Sequence, residues 1–448
     1  MREIIERAAR KGAERCEVFR LTSLRTDVTF ETGRLKGVAR TEESGVAVRV
    51  VKDGRIGLAT STRLDDLDRI AEDAVATSAF GENAEHGFAQ AAKLPAPAIA
   101  DPRIEGLTTD DMIGRMADSV SRILGYEKKI NAEALTRRDV HEISITTSDG
   151  FDGSFKRTQY QFFVGGRLIE GTNMLDAGGY YGGTALDAGG PAIVDGILED
   201  FRNGRKNASV SGGPTMVLLT PRALVDVMMT LNQGVNGSTV ERKVSPLTDR
   251  LGQTVFDERV TIHDDGVADA GFSSAPFDDE GVPMQRTPLV VDGVLKGFLT
   301  DLRTAHKLGL PATGNGLRYK RLTQMKDLGK VPDPEIRGWD MAGGDTPRAE
   351  LMARMKSGVI VDSIMGIMMS NLLAGDFSGN VALGFKVENG RIVGRVKDTM
   401  VAGNVYKLFK DNIVGLSKEV ERVGLMGFIG SHSYPYVLLR DVSISTKA

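Results

Sequence analysis

The chain has 448 residues, of which 26% are charged and 41% hydrophobic, with 57 Lys plus Arg against 60 Asp plus Glu and a formal net charge of −3. That length predicts two domains or more, each able to bury a core, and the composition excludes long disordered stretches. With no global positive field to attract a polyanion, no nucleic-acid partner is expected, and the densest basic stretches, Arg202 to Lys206 and Arg318 to Arg321, read as solvated surface.

The first residues place Ile4, Ile5, Ala8 and Ala9 at helical spacing among charges, which predicts a helix and no secretory signal. Glu17 to Phe30 is rich in strand formers. Cys16 is the only cysteine, so an internal disulfide and a multi-thiolate metal site are excluded, and a reducing, cytoplasmic setting is expected. Val46 to Val51 and Ile56 to Ala59 flank Asp53-Gly54, a hairpin signal. Thr62 and Asp65 have the spacing of a capping box ahead of an apolar helix face formed by Leu64, Leu67, Ile70, Ala71, Ala74 and Val75. Residues 81–106, rich in Ala, Pro and Gly, suit a connection.

Thr108 and Asp111 repeat the capping signal, and Met112, Ile113, Met116, Val120, Ile123 and Leu124 then share one helix face as core. Strands are expected at Val140 to Thr147 and Gln161 to Leu168, and the Gly-rich run Asp176 to Gly190 reads as the end of the N-terminal half. Met216 to Leu219 reads as a short strand; Thr220-Pro221 then caps a helix running to about Asn232. Asp292-Gly293 and Asn389-Gly390 give two further hairpins. The weakly charged stretch Ser363 to Ala374 falls well short of the roughly 20 residues that cross a bilayer, so no membrane span is expected.

Tight hairpins without regular strand–helix alternation favour antiparallel sheet. The expected fold is α+β: a two-layer α+β N-terminal region and an antiparallel-β-rich C-terminal domain. The boundaries are read as residues 1–100, 101–210 and 211–448.

Catalytic patterns are sparse. The five histidines are His86, His141, His263, His306 and His432. His141-Glu142 has no second histidine a turn later, and strand alternation points the two side chains to opposite faces, leaving a strand-surface histidine as the reading. His432 lies between Ser431 and Ser433, but no nucleophile elbow exists in the chain. His263-Asp264-Asp265 reads as solvated loop. No phosphate-binding glycine motif occurs, and Thr313-Gly314-Asn315-Gly316 reads as a tight turn.

The block GDFSGNVALGFKVENGRIVGRVKDTMVAGN, residues 375–404, resembles the C-terminal region of the TldD/PmbA family, which includes zinc-dependent peptidases and zinc-free relatives. Residues 31–62, 276–315 and 358–378 extend the resemblance in the same order along the chain. Metal-competent members of that family carry H-E-x-x-x-H on the helix after the strand equivalent to Met216 to Leu219, with a cysteine near the C-terminus. The resemblance places Val227-Met228-Met229-Thr230-Leu231-Asn232-Gln233 over that motif, with Met228 and Gln233 at the histidine positions and Met229 at the glutamate.

The resemblance therefore implies the PmbA, or TldE, branch: a noncatalytic subunit that binds no cofactor or metal of its own and pairs with a TldD-like metallopeptidase whose zinc processes or degrades peptides. A non-proteolytic regulator of the DNA gyrase modulator type and a homodimer with its own chemistry are the alternatives. Asn315, Arg318 and Asp376, polar residues near the matching blocks, are the candidate residues of a substrate or partner cleft.

Overall fold

Regular alternation of apolar and polar side chains over long runs lets a strand bury one face while wetting the other, and the N-terminal half is built on this pattern. The computed structural model describes residues 1–186, 190–319, 326–424 and 432–446. In the N-terminal half, strands β1 (Arg15–Glu31), β2 (Arg34–Lys52), β3 (Arg55–Ser61), β4 (Ile130–Thr147), β5 (Asp152–Glu170) and β6 (Asn173–Gly183) form one antiparallel sheet in the order β3-β2-β1-β4-β5-β6. Because β1 pairs with both β2 and β4, residues 1–100 and 101–210 share this sheet.

Two helices cover one end of the sheet: α1 (Arg2–Arg10) and α2 (Leu67–Thr77), whose Ile4, Ala8, Ile70, Ala71 and Ala74 pack on Val18, Val46, Val48 and Val50. Asp66, not a Thr62–Asp65 box, caps α2 by accepting the Arg69 N–H, so Leu64 precedes the helix and is exposed. After the short helix α3 (Pro102–Glu105), α4 (Thr109–Tyr126) opens on the expected reciprocal Thr108–Asp111 box and buries Met112, Met116, Val120 and Ile123.

The Gly-rich run does not end a region. Most of it is β6, and α5 (Gly190–Gly204) follows at once, burying Val194, Ile197 and Phe201; residues 187–189 of the run lie outside the described residues.

The C-terminal half begins with β7 (Gly213–Leu219), α6 (Pro221–Val235) and α7 (Gly237–Glu241). It continues through β8 (Ile262–Asp265), β9 (Arg286–Val291), β10 (Val294–Leu295), α8 (Leu302–Leu308), β11 (Gly316–Leu317), β12 (Asp333–Pro334), β13 (Trp339–Met341), α9 (Arg348–Ala353) and β14 (Ser357–Met365). It ends with β15 (Asp376–Glu388), β16 (Arg391–Arg395), β17 (Thr399–Asn404), α10 (Val405–Asp411), β18 (Ile413–Val423) and β19 (His432–Thr446). Mostly antiparallel pairing joins these strands, with β7–β14 and β13–β19 parallel. The expected turns hold: Asp53-Gly54, Asp292-Gly293 and Asn389-Gly390 all adopt the positive φ that a two-residue hairpin needs.

The circuit β7–β14–β15–β17–β19–β7 closes on itself, and α6 packs against one face of it. Alternation along the strands decides which face a residue serves. Val217, Leu219, Val359, Val361, Val437 and Leu439 join Leu224, Val227 and Leu231 of α6 in one core. Leu218, Ile360 and Leu438, one residue out of step, pack toward α4 and α5 of the N-terminal half. At about 1.5–3 kcal/mol for each large apolar side chain fully removed from water, the second layer joins the two halves, while the first holds the C-terminal half together. No helix among the described residues is long and apolar enough to cross a membrane.

Candidate functional site

The open site lies where α5, the start of α6 and strands β14, β15, β16 and β18 meet, around a cleft of about 510 Å³. Thr220 begins α6 as its N-cap, accepting the Ala223 N–H through Oγ1, and Pro221 at the first helical position fixes the turn so that Arg222 projects beside the cap. Arg222 then bridges the two halves. It donates from Nη1 to the Gly178 carbonyl at 2.6 Å, from Nη2 to Asp200 at 2.8 Å on α5, and from Nε to Asp362 at 3.1 Å on β14.

One guanidinium thus serves two carboxylates that themselves repel. Burial pushes the Asp200 carboxyl up to about 6; Arg222 pulls it down, and the nearby Asp362 raises it again. Across the cleft, Tyr436 donates to Glu421 at 2.7 Å, and the Arg348 guanidinium lies 4.5 Å from the centre of the Tyr436 ring. Ile193, Ile360, Phe385 and Ile392 supply apolar wall between these polar groups. The lining thus sets this apolar wall among seven charged residues, Glu199, Asp200, Arg222, Arg348, Asp362, Glu421 and Arg422.

A second polar region is buried, although Arg49 and Glu280 border a cavity of about 600 Å³. Glu17 of β1 sits directly opposite Arg49 of β2, and the pair is bidentate, Nε to Oε1 at 2.8 Å and Nη2 to Oε2 at 2.6 Å. Arg49 also donates to Glu280 at 3.0 Å, and Arg318 donates to Glu17 at 2.9 Å, all four side chains being at most 1% exposed. Glu280 accepts the Leu302 N–H as well; burial nevertheless pushes its carboxyl up to about 8 against the pull of Arg49.

The residues expected from sequence fall in three different settings. Arg318 is not solvated surface but fully buried in this ionic core, over the Phe19 ring; Lys320 and Arg321 of the same stretch lie outside the described residues. Asn315 is also buried, donating to Asp264 at 2.7 Å and to the Glu335 carbonyl at 2.9 Å. It follows Gly314, whose φ of +74° makes the expected tight turn and where a Cβ would stand 2.6 Å from the Pro283 carbonyl oxygen. Asp376 is exposed at the start of β15, accepting from Asn404 at 2.8 Å, and among the described residues no hydrogen bond or ion pair ties it to the other two.

The histidine readings change in detail. His141 and Glu142 do point to opposite faces, but His141 is the buried one, hydrogen-bonded to Gln159 at 3.0 Å. His263-Asp264-Asp265 is strand β8, and Asp264 is 1% exposed and holds the Arg337 and Gly338 N–H groups. His432 is buried, accepting the Trp339 N–H through Nδ1; Ser431 lies outside the described residues.

Comparison with known proteins gives these features a family. The model of the PmbA/TldA metallopeptidase C-terminal domain matches residues 212–446, and that of PmbA/TldA metallopeptidase domain 1 matches residues 16–78. The chain belongs to the TldD/PmbA family. An uncharacterized protein of Methanocaldococcus jannaschii is 27% identical over 390 residues, which is 82% of this chain and 83% of that protein. TldE from Thermococcus kodakarensis superposes with a TM-score of 0.89 at 18% identity, covering 99% of both chains. A Thermotoga maritima protein described as a candidate modulator of a DNA gyrase superposes with a TM-score of 0.88 at 23% identity, again over 99% of both.

In this TldD/PmbA chain α6 is the helix onto which the sequence resemblance places the metal motif. Met228 is 2% exposed in the core with Leu224 and Leu231, while Met229, Asn232 and Gln233 form a half-buried side. Asp226 is the carboxylate of α6; it accepts the Ile364 N–H at 3.4 Å, and burial pushes it up to about 7. Cys16 is buried on β1, its thiol pushed up to about 12 by burial. Among the described residues no three or more His, Cys, Asp or Glu side chains gather with metal-binding geometry.

The sequence reading missed Arg222, Asp200 and Asp362, which are brought together from three elements with no shared motif. Glu17 and Arg49 carried a signal. Each is a charge set within an apolar strand run, and the β1–β2 register makes them direct neighbours.

Proposed function

We propose that this chain is the noncatalytic, TldE-like subunit of a heteromeric TldD/TldE metallopeptidase of the cytoplasm, and that hydrolysis of peptides takes place at the zinc of a TldD-type partner. The observation that carries this is α6. A catalytic zinc requires three ligands such as imidazole, carboxylate or thiolate, together with a base for its water. The helix offers thioethers, amides and one carboxyl held near neutrality by burial, a donor set that does not fit this ion.

In this reading the chain's own contribution is to hold the peptide. β16 and β18 both line the cleft at Arg222; their outer edges are taken by Lys206 and Ala208 at Arg395 and by Gly344 and Thr346 at Ser417 and Lys418, so strand addition falls to the cleft-lining stretches at Ile392 and at Glu421 to Val423. Asp376, exposed, is assigned to the partner surface, whereas Arg318 acts by tying its loop to Glu17 of the N-terminal sheet and Asn315 by fixing loops within the C-terminal half.

Mixing the purified chain with its TldD-like partner is expected to give a larger complex and zinc-dependent cleavage of a peptide library, with the chain alone binding no stoichiometric zinc. If the partner's activity and size are unchanged by the addition, the subunit reading fails. Recovery of gyrase from native lysate without any TldD-like chain would favour a regulator instead, and stoichiometric zinc on this chain alone would favour an enzyme in its own right.

A further inference from the structure

Away from the Arg222 cleft, two guanidiniums are buried without the partner that burial demands. Arg337 is 2% exposed and Arg157 is 3% exposed; Nε of each has no hydrogen-bond acceptor, and neither forms an ion pair among the described residues. A buried, unpaired charge costs several kcal/mol, so a partner is to be sought. Arg337 lines a cavity of about 210 Å³ together with Gly271, Phe272, Ser273, Ser274 and Trp339. Two further donors of that wall, the Ser274 hydroxyl and the Trp339 indole N–H, are buried and unpartnered too. Behind Phe272 and Ser273, which line both spaces, lies a small cavity of about 20 Å³ bordered by Arg157, Tyr319 and Lys326.

The carboxylates nearby are already engaged. Asp264 accepts the Arg337 and Gly338 backbone N–H groups and Asn315; Asp278 accepts the N–H groups of Glu280, Val282 and Gly316. Asp279 holds Lys326 and the Arg318 N–H, while Asp265 and Asp340 at the rim are paired with Arg286. At Tyr319, on the small cavity, the cations dominate. Burial pushes the Tyr319 phenol up, yet Lys326, Arg157 and Arg337 outweigh it and leave the group below its ordinary value.

We propose that the cavity walled by Arg337, Trp339 and Ser274 is a binding site for one compact oxyanion, with Arg157 reinforcing it from behind. Guanidinium donors together with an indole N–H and a hydroxyl, all lacking acceptors, match the tetrahedral or planar oxygens of phosphate or carboxylate. The oxyanion is either a free inorganic ion or the carboxylate end of a peptide. Arg422 lines both this cavity and the Arg222 cleft, which gives the second source a route.

Equilibrium dialysis of the full chain against labelled inorganic phosphate at fixed ionic strength, repeated in competition with an acetylated tripeptide acid and its amide, tests the site. One saturable phosphate per chain is expected. Arg337→Met should weaken it by about 10- to 100-fold, the worth of a charged hydrogen-bond partner, while Trp339→Phe and Ser274→Ala, which remove one neutral donor each, should weaken it by several-fold. The surface variant Lys36→Gln, whose side chain is exposed and paired only with Glu31, should bind as the parent does. Competition by the acid but not the amide assigns the peptide carboxylate, and no competition by either assigns a free ion. Absence of saturable binding of both phosphate and the acid, or unchanged binding in Trp339→Phe and Arg337→Met, overturns the proposal; if Arg337→Met does not fold, Trp339→Phe decides.

Discussion

Glu17, Arg49, Glu280 and Arg318 in one region, and Arg222, Asp200 and Asp362 in the other, use the same two chemistries to opposite ends. In the first, two guanidiniums face two carboxylates, all at most 1% exposed, and the contacts run from the N-terminal sheet to the loops of the C-terminal half. In the second, one guanidinium serves two carboxylates on the wall of an open cleft. The difference shows how placement sets the role of an ion pair. A cluster of buried, mutually paired side chains fixes how two halves sit together, whereas one on the wall of a cleft keeps charge available to a ligand.

The largest effect should come from breaking the closed cluster. Arg49→Met leaves Glu17 with Arg318 alone and Glu280 with only the Leu302 N–H, and loss of about 3–5 kcal/mol of unfolding free energy is expected from a single buried partner removed. Urea unfolding measures it, and a loss under about 1 kcal/mol would mean that water reaches the cluster and that the contrast with the cleft is false. Arg222→Met should cost less, about 1–3 kcal/mol, because Asp200 and Asp362 can take up water from the cleft once the guanidinium is gone. If the two variants are equally destabilised, the cleft residue is a fastener like the other.

The sequence disclosed the parts of the molecule that rest on local chemistry and concealed those that rest on assembly. The Asp53-Gly54, Asp292-Gly293 and Asn389-Gly390 hairpins, the Thr108–Asp111 box and the Thr220-Pro221 start of α6 are decided within a few residues, and each was readable. Helix α5 was not, because Gly190, Pro191 and Gly196 mask an apolar face that only packing against β6 makes worthwhile. Arg318 looked like surface because three of the four residues from Arg318 to Arg321 are basic. Its burial depends on Glu17, some 301 residues away in sequence, which no window can see. The cleft was hidden for the same reason: Asp200, Arg222 and Asp362 converge only when α5, α6 and β14 are docked.

Titration should give the smallest and most discriminating signal, since each group contributes a slope of at most one proton, about 1.4 kcal/mol per pH unit. Asp200 and Glu280 both have carboxyls raised in the folded chain, to about 6 and about 8, chiefly by burial. A carboxyl raised on folding binds more protons in the native than in the unfolded state. Its stabilising contribution is therefore full below the unfolded value near 4 and is lost as pH rises through the folded value. Stability should fall from about pH 4 upward, with the Asp200 share spent once pH passes about 6 and the Glu280 share continuing to about 8. Asp200→Asn should flatten the profile below about pH 6 only. Glu280→Gln should lessen the slope over the whole span and remove it only above about 7, where Asp226 and Asp278, both raised by burial to about 7, have already lost their protons. Thermal melts across that range measure both. A single variant that removes the entire slope would show that the two regions titrate as one, and would dissolve the distinction between closed cluster and open cleft.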